Sequence, residues 1–206
     1  INAADTIRKN LFINRHYFSQ IYINNLSDAS FSTTFAYTNN MKIRKATYED
    51  IPRILHIFAE ARTTMRESGN LHQWPDTYPS EEIVRKDISN GHCMVCCDEE
   101  GKIQGTFACI PGPDPTYAKI YEGCWPDEEP YYVIHRIAAS RDAGRKSSIA
   151  SCCFEWTFRR TDTIRIDTHR DNVIMHHLLS KHGFHRCGVI LLANGDPRDA
   201  YHKRKI

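Results

Sequence analysis

The stretch YYVIHRIAASRDAGRKSSIASCCFEWTFRRTDTIRIDTHRDNVIMHHLLSKHGF, from Tyr131 to Phe184, decides the fold. It reads as a strand (YYVIHRIAAS), a basic turn (RDAGRKSS), a helix (IASCCFEWTFRR), a second strand (TIRIDTH) and a second helix (DNVIMHHLLSKHGF). A turn dense in Arg, Lys and Ser between a strand and a helix start is suited to phosphate. The first N–H groups of a helix have no partner within it, and the helix dipole favours an anion there. Arg145 and Lys146 add positive charge at that point. The pattern points to an enzyme that holds a pyrophosphate-bearing cofactor through main-chain amides.

Upstream of this stretch, Met41 to Ala46 alternates apolar and basic residues, as a half-exposed strand does. Thr47 precedes Tyr48, Glu49 and Asp50, a helix start with acids in its first turn. Ile51, Ile54, Leu55, Ile57 and Phe58 recur at helical spacing, and the helix fades near Ser68-Gly69. Pro79 to Glu82 opens a second helix, ending near Gly91. His92 to Cys97 and Lys102 to Ile110 read as a hairpin around Asp98-Glu99-Glu100-Gly101. Residues 111–130 form a long excursion with little regular structure, a type of loop that often carries function. Gly183 to Leu192 and Asp199 to Lys203 close the chain as two strands. Residues 1–40 differ in composition, being rich in Asn, Ile, Phe, Tyr and Ser. Two expectations stand side by side for them: upstream sequence translated in frame, with Met41 the true start, or an arm that packs on the domain or on a partner subunit. The domain itself is expected over 41–206.

Composition narrows the function classes. The 206 residues carry 27 Lys and Arg against 25 Asp and Glu, a formal net charge of +2. The basic residues are interspersed with acids, so no nucleic-acid partner is expected. No apolar run approaches the ~20 residues that cross a bilayer, and no secretory signal pattern is seen, so no membrane partner is expected. The eight cysteines lack the paired spacing of a structural zinc site. They read as reduced, buried packing residues, which favours a cytoplasmic location and no metal.

The order of elements from Met41, with the residues quoted, resembles the GCN5-related N-acetyltransferase (GNAT) superfamily, and its small-molecule branch in particular. His135-Arg136-Ile137-Ala138-Ala139 is similar to that family's central strand. Arg145 to Ala150 is similar to its pyrophosphate loop, and Asp171-Asn172 with Leu178 to Phe184 to its last helix. Gln73-Trp74-Pro75 with Tyr78-Pro79 resembles one small-molecule branch. The resemblance implies an α/β fold with a mixed, mainly antiparallel central sheet, splayed at its middle and flanked by helices on both faces. It implies acetyl-CoA as co-substrate, with no metal, and direct attack by an amine without a covalent enzyme intermediate. Main-chain groups of Ile137, Ala138 and Ala139 would bind the pantetheine arm. Arg145, Lys146, Ser147, Ser148, Ile149 and Ala150 would hold the pyrophosphate, and Asn172 would bond the pantetheine or cap the last helix. Two departures stand out: Ser148 replaces the loop's first small position, normally Gly, and Leu179 replaces a Tyr that protonates the leaving thiolate in many members.

A thiol of pKa about 8.5 leaves tolerably well near neutrality, whereas an amine of pKa near 10.4 is roughly three units from being neutral. A base is therefore the greater need, and His135 is the candidate. Period two places Val133, His135 and Ile137 on one strand face. The acceptor is expected to be a small amine. Trp74, Tyr78 and Tyr121, among the aromatics that also include Tyr117, Trp125 and Tyr131, are the candidate walls of its site. Asp114, Asp127, Glu128 and Glu129 are candidates for attracting its charge. A homodimer is the one macromolecular assembly kept in view. The competing class is a domain that binds acyl-CoA without turnover, as a sensor or subunit.

Overall fold

The computed structural model describes residues 41–143 and 149–205, which fall in one unit spanning Asn39–Ile206. The described residues form seven strands: β1 (Lys42–Lys45), β2 (Cys93–Cys97), β3 (Ile103–Pro111), β4 (Tyr132–Ala139), β5 (Thr163–Thr168), β6 (His185–Leu191) and β7 (Pro197–Arg204). Four α-helices join them: α1 (Ile51–Glu67), α2 (Glu81–Ser89), α3 (Ile149–Phe158) and α4 (Val173–Lys181).

Local chemistry sets the helix starts. The Asp50 carboxylate accepts from the Thr47 N–H at 2.8 Å and from both terminal nitrogens of Arg44, at 2.6 and 2.9 Å. That arrangement fixes a single 3-10 turn at Tyr48–Asp50, and α1 follows it with Pro52 in its opening turn, where the missing N–H costs nothing. The Ser80 hydroxyl accepts from Ile83 N at the start of α2, and Asn172 Oδ1 accepts from Met175 N at the start of α4.

The sheet order is β1-β2-β3-β4-β5-β7-β6. Neighbouring strands run antiparallel except β4 and β5, which are parallel. These two pair at only two positions, Tyr132 with Ile164 and Val133 with Arg165. Beyond Val133 the ladder stops, and the sheet opens at its middle.

Helices cover both faces, and alternation along β2 displays the layering. Cys93, Val95 and Cys97 pack with Ile54, Ile57 and Phe58 of α1 and Val84 of α2. Met94 and Cys96 pack on the other side with Ile149, Cys153 and Phe154 of α3 and Leu179 of α4. A strand buried on both faces reads as a continuous apolar run, as Cys93 to Cys97 does. Burial raises the Cys93 thiol to about 11 and the Cys153 thiol well above its usual value, as suits packing residues rather than nucleophiles. A third cluster joins Tyr117, Val133, Ile190 and Ala200 beneath the 111–130 excursion. No helix among the described residues is long and apolar enough to cross a membrane.

Candidate active site

A cavity of about 580 Å³ lies where β4 and β5 part. Its walls come from Ile134 to Ile137 of β4, Ile166 to Thr168 of β5, and the α1–α2 connection at His72 to Pro75 and Tyr78. Asp114 and Thr116 of the excursion, Asn194, Asp196 and Arg198 around the β6–β7 turn, and Asn172 and Met175 at α4 complete it.

His135 sits on this wall between two carboxylates. Its Nε2 is 3.1 Å from Asp114 Oδ2, and its Nδ1 is 3.6 Å from Asp167 Oδ1. Asp114 is fixed in turn by the amide and hydroxyl of Thr116, at 2.8 and 2.6 Å. Burial pushes the Asp114 pKa up, but the bonds from His135 and Thr116 prevail and hold it at about 2. Asp114 is therefore ionised at neutral pH. An ionised carboxylate only accepts, so in the neutral ring the Nε2 position carries the hydrogen and Nδ1 keeps the lone pair. The 3.6 Å gap from Nδ1 to Asp167 is too long for a direct hydrogen bond. Asp167 Oδ1 instead accepts from the Tyr117 hydroxyl at 2.7 Å. Burial first, and then the Asp167 charge, keep that phenol well above its usual pKa, so Tyr117 remains a donor.

A bulge shapes β4 next to this histidine. Thr106 pairs with Ala138 and Ala108 with His135, so Phe107 alone stands opposite Arg136 and Ile137. Arg136 takes a φ of 54°, a conformation that side chains rarely adopt. It is held there by its guanidinium, whose Nε and Nη2 lie 3.1 and 2.8 Å from Asp87 Oδ2. The extra residue inverts the alternation. Val133 packs with Tyr117, Ile190 and Ala200, whereas Ile137 packs against the α3/α4 core, and Ala138 turns to the α1/α2 cluster. The expectation that Val133, His135 and Ile137 share one face fails for this reason.

The remaining expected site residues distribute as follows. Trp74 and Tyr78 line the cavity, with Trp74 packed edge-on between Phe58 and Tyr78. Tyr121 is not among the described residues that line it. Its backbone exchanges hydrogen bonds with Val189 at 2.7 and 2.8 Å, and its ring lies under Lys119. Tyr117, Trp125 and Tyr131 form a stack, and Arg165 lies over the Trp125 and Tyr131 rings, so this aromatic group anchors the excursion. Asp127 lies near Arg165, His202 and Arg204 rather than the cavity lining. Ile137 and Asn172 line the cavity. The Asn172 amide caps α4 through Oδ1 and donates through Nδ2 to Gln73 at 2.8 Å. Ala139 is exposed at the end of β4, Ala138 is buried, and Ile149 and Ala150 are buried at the first turn of α3. Arg145, Lys146, Ser147 and Ser148 lie outside the described residues, as do residues 1–40. Leu179 is fully buried in the α3/α4 core, where no acid chemistry reaches the cavity from it.

Asp167, Arg198 and Thr168 were not singled out from the sequence. The strand TIRIDTH does put Thr163, Arg165 and Asp167 on one face by alternation, and that signal points at Asp167. Arg198 escaped because the last strand starts at Pro197, two residues before the expected Asp199.

No protein-family model and no curated protein matches the chain. Among solved structures, it is similar to a GNAT-family acetyltransferase from Streptococcus agalactiae 2603, with 34% identity over 81% of this chain and 96% of that one, at a TM-score of 0.71. A GNAT-family acetyltransferase from Listeria monocytogenes 4b F2365 shares the fold at a TM-score of 0.60 and 21% identity, covering 80% of this chain and 94% of that one. Another from Bacillus cereus ATCC 10987 does so at 0.54 and 18% identity, covering 81% and 98%. The opened sheet, the helices on both faces and the extent of identity to the streptococcal protein lead to one conclusion: this chain belongs to the GNAT family of acetyltransferases and is an acyltransferase.

Proposed function

We propose that the chain transfers an acetyl group from acetyl-CoA to the primary amine of a small molecule, by direct attack of the amine on the thioester. The observation that carries this reading is His135, set between Asp114 and Asp167 on the wall of the cavity at the sheet opening.

The chain's residues fit the co-substrate. Past Val133 the β4 backbone has no β5 partner, which supports the reading that main-chain groups of Ile137 and Ala139 bond an extended pantetheine arm. The first turn of α3, at Ile149 and Ala150, with Arg145, Lys146, Ser147 and Ser148 before it, would hold the diphosphate. Asn172 would bound the arm's path at the start of α4. Acetyl-CoA supplies the activated acyl group; the protein supplies position and proton traffic.

A cationic amine entering the cavity meets Asp114 and Asp167 first. Nδ1 of His135, with its lone pair beside Asp167, then accepts the proton that the amine must lose. The Asp114 carboxylate on Nε2 stabilises the imidazolium that results. The amine nitrogen bonds to the thioester carbon, and a main-chain N–H at the Arg136–Ile137 bulge polarises the carbonyl oxygen. The carbon–sulfur bond then breaks, and the electron pair leaves on sulfur. A thiolate departs without a side-chain acid far more readily than an alkoxide would, consistent with an apolar residue at position 179.

Calorimetry with acetyl-CoA, coupled to thiol release over a panel of small primary amines, tests the proposal. Saturable binding and amine-dependent thiol release are expected. Binding with no release from any amine would leave an acyl-CoA-binding domain in its place.

A further inference from the structure

The cavity that holds His135 carries opposite charges at separate points. Asp114 and Asp167 lie at one of them. Arg198, only 5% exposed, lines the same cavity from β7. Its Nη1 donates to the Pro197 carbonyl at 2.8 Å, and its Nη2 stands 3.9 Å from Asp196 Oδ2. That carboxylate already accepts from Asn194 Nδ2 at 2.8 Å within its own turn. A guanidinium has five N–H donors, and a buried cation is costly to keep without a close anion. One carbonyl and one distant carboxylate leave Arg198 short of partners.

A second observation lies beside the guanidinium. His72, also on the wall, has its ring centroid 6.5 Å from that of His169. Burial, and next the charge of Arg198, lower the His169 pKa, as expected if the guanidinium lies close by. This side of the cavity presents donors and positive charge.

Strand register relates the two points. Ala200 pairs with Asp167, and Arg198 is two residues along β7 from Ala200. Arg198 and Asp167 therefore project from the same face as diagonal neighbours, with Cα atoms about 7–8 Å apart. Side chains of Asp and Arg spanning that distance leave room for a few carbon atoms between an ammonium and an acid group.

We propose that the acceptor is a small amino acid: a molecule whose amine meets Asp114, Asp167 and His135 while its carboxylate pairs with Arg198. The inference deepens the reading of this cavity as the acceptor site of an N-acetyltransferase, and it rests on that reading. Unlike a simple alkylamine, such an acceptor supplies the anion that Arg198 lacks. A bidentate guanidinium–carboxylate pair fixes orientation as well as charge, which aims the amine at the thioester.

The test uses the full chain with acetyl-CoA and matched acceptors: short α- and ω-amino acids, the alkylamines formed by removing their carboxylate, and their methyl esters. Thiol release gives kcat/KM for each. The amino acids are expected to exceed their matched amines and esters by about tenfold to a hundredfold. In Arg198→Gln that ratio is expected to shrink toward about one, chiefly through KM. The wild-type ratio alone decides the matter if that variant fails to fold. Amines and esters turned over as well as the amino acids would overturn the inference and leave the N-acetyltransferase reading standing. No thiol release from any compound, with acetyl-CoA bound, would overturn both.

Discussion

The Tyr117 hydroxyl donates a 2.7 Å hydrogen bond to Asp167 Oδ1, the same oxygen that lies 3.6 Å from Nδ1 of His135. Tyr117 thus sets where the negative charge beside the histidine sits. Tyr117→Phe keeps the ring stacked with Trp125 and Tyr131 and removes only the donor. A stability loss of about 1 kcal/mol is expected. The kcat is expected to fall roughly tenfold while KM for acetyl-CoA holds, because the carboxylate loses its fixed geometry. An unchanged kcat in the folded variant would show that Asp167 needs no orientation.

His135→Gln separates catalysis from binding. The amide preserves polar contact with Asp114 and cannot accept the amine's proton. A kcat lower by about a hundredfold or more is expected, with the calorimetric Kd for acetyl-CoA within about twofold of the parent. Equal losses in both quantities would make the histidine a structural element of β4.

Asp114 predicts a specific acid sensitivity. Its folded-state pKa of about 2 lies below the ordinary carboxylate value near 3.9. Between about pH 4 and 2 the unfolded chain therefore binds this proton first, so the contribution of Asp114 to stability is complete above that window and is lost as pH falls through it. Urea unfolding from pH 5 down to 2 is expected to show a steeper stability loss for the parent than for Asp114→Asn. Parallel curves would place the paired carboxylate elsewhere.

Leu179→Tyr asks whether the missing phenol can be restored by substitution. The leucine is fully buried among α3 and α4 residues. Overpacking is expected to cost about 1–3 kcal/mol by chemical denaturation and to bring no gain in kcat. A faster enzyme at undiminished stability would mean that the side chain at this position reaches the reacting sulfur.

Gly123 secures the excursion to β6. A Cβ at this position would fall 1.9 Å from the Cys187 carbonyl oxygen, and the residue's φ is 159°. Gly123→Ala is expected to break the Tyr121–Val189 backbone bridge, to cost about 2 kcal/mol or more, and to open residues 111–130 to limited proteolysis. Protease resistance equal to that of the parent would mean that the tie is not needed to hold the loop.

Local chemistry made much of this architecture readable. Thr47, Ser80 and Asn172 announce helix starts that the structure contains, because capping depends on neighbours within a turn. The hairpin around Asp98 and the strand–helix–strand–helix order after Tyr131 followed from short-range periodicity. The β4 bulge did not follow, since it depends on pairing with β3 and falls on Arg136, a residue with no intrinsic taste for positive φ. The convergence of Asp114, His135 and Asp167 was likewise illegible, because three separate elements bring those side chains together. Aromatics near the excursion suggested an acceptor wall, but Tyr117, Trp125 and Tyr131 chose each other and Arg165. Composition names such residues without naming their partners.

Only two register pairs, Tyr132 with Ile164 and Val133 with Arg165, tie β4 to β5 directly. The four strands before that junction and the three after it are therefore weakly sutured along their seam. An elongated molecule lodged there would act as a surrogate strand, knitting the flanks together through its own amides. Occupancy would then register as tighter thermal cooperativity and slower amide exchange on both flanks.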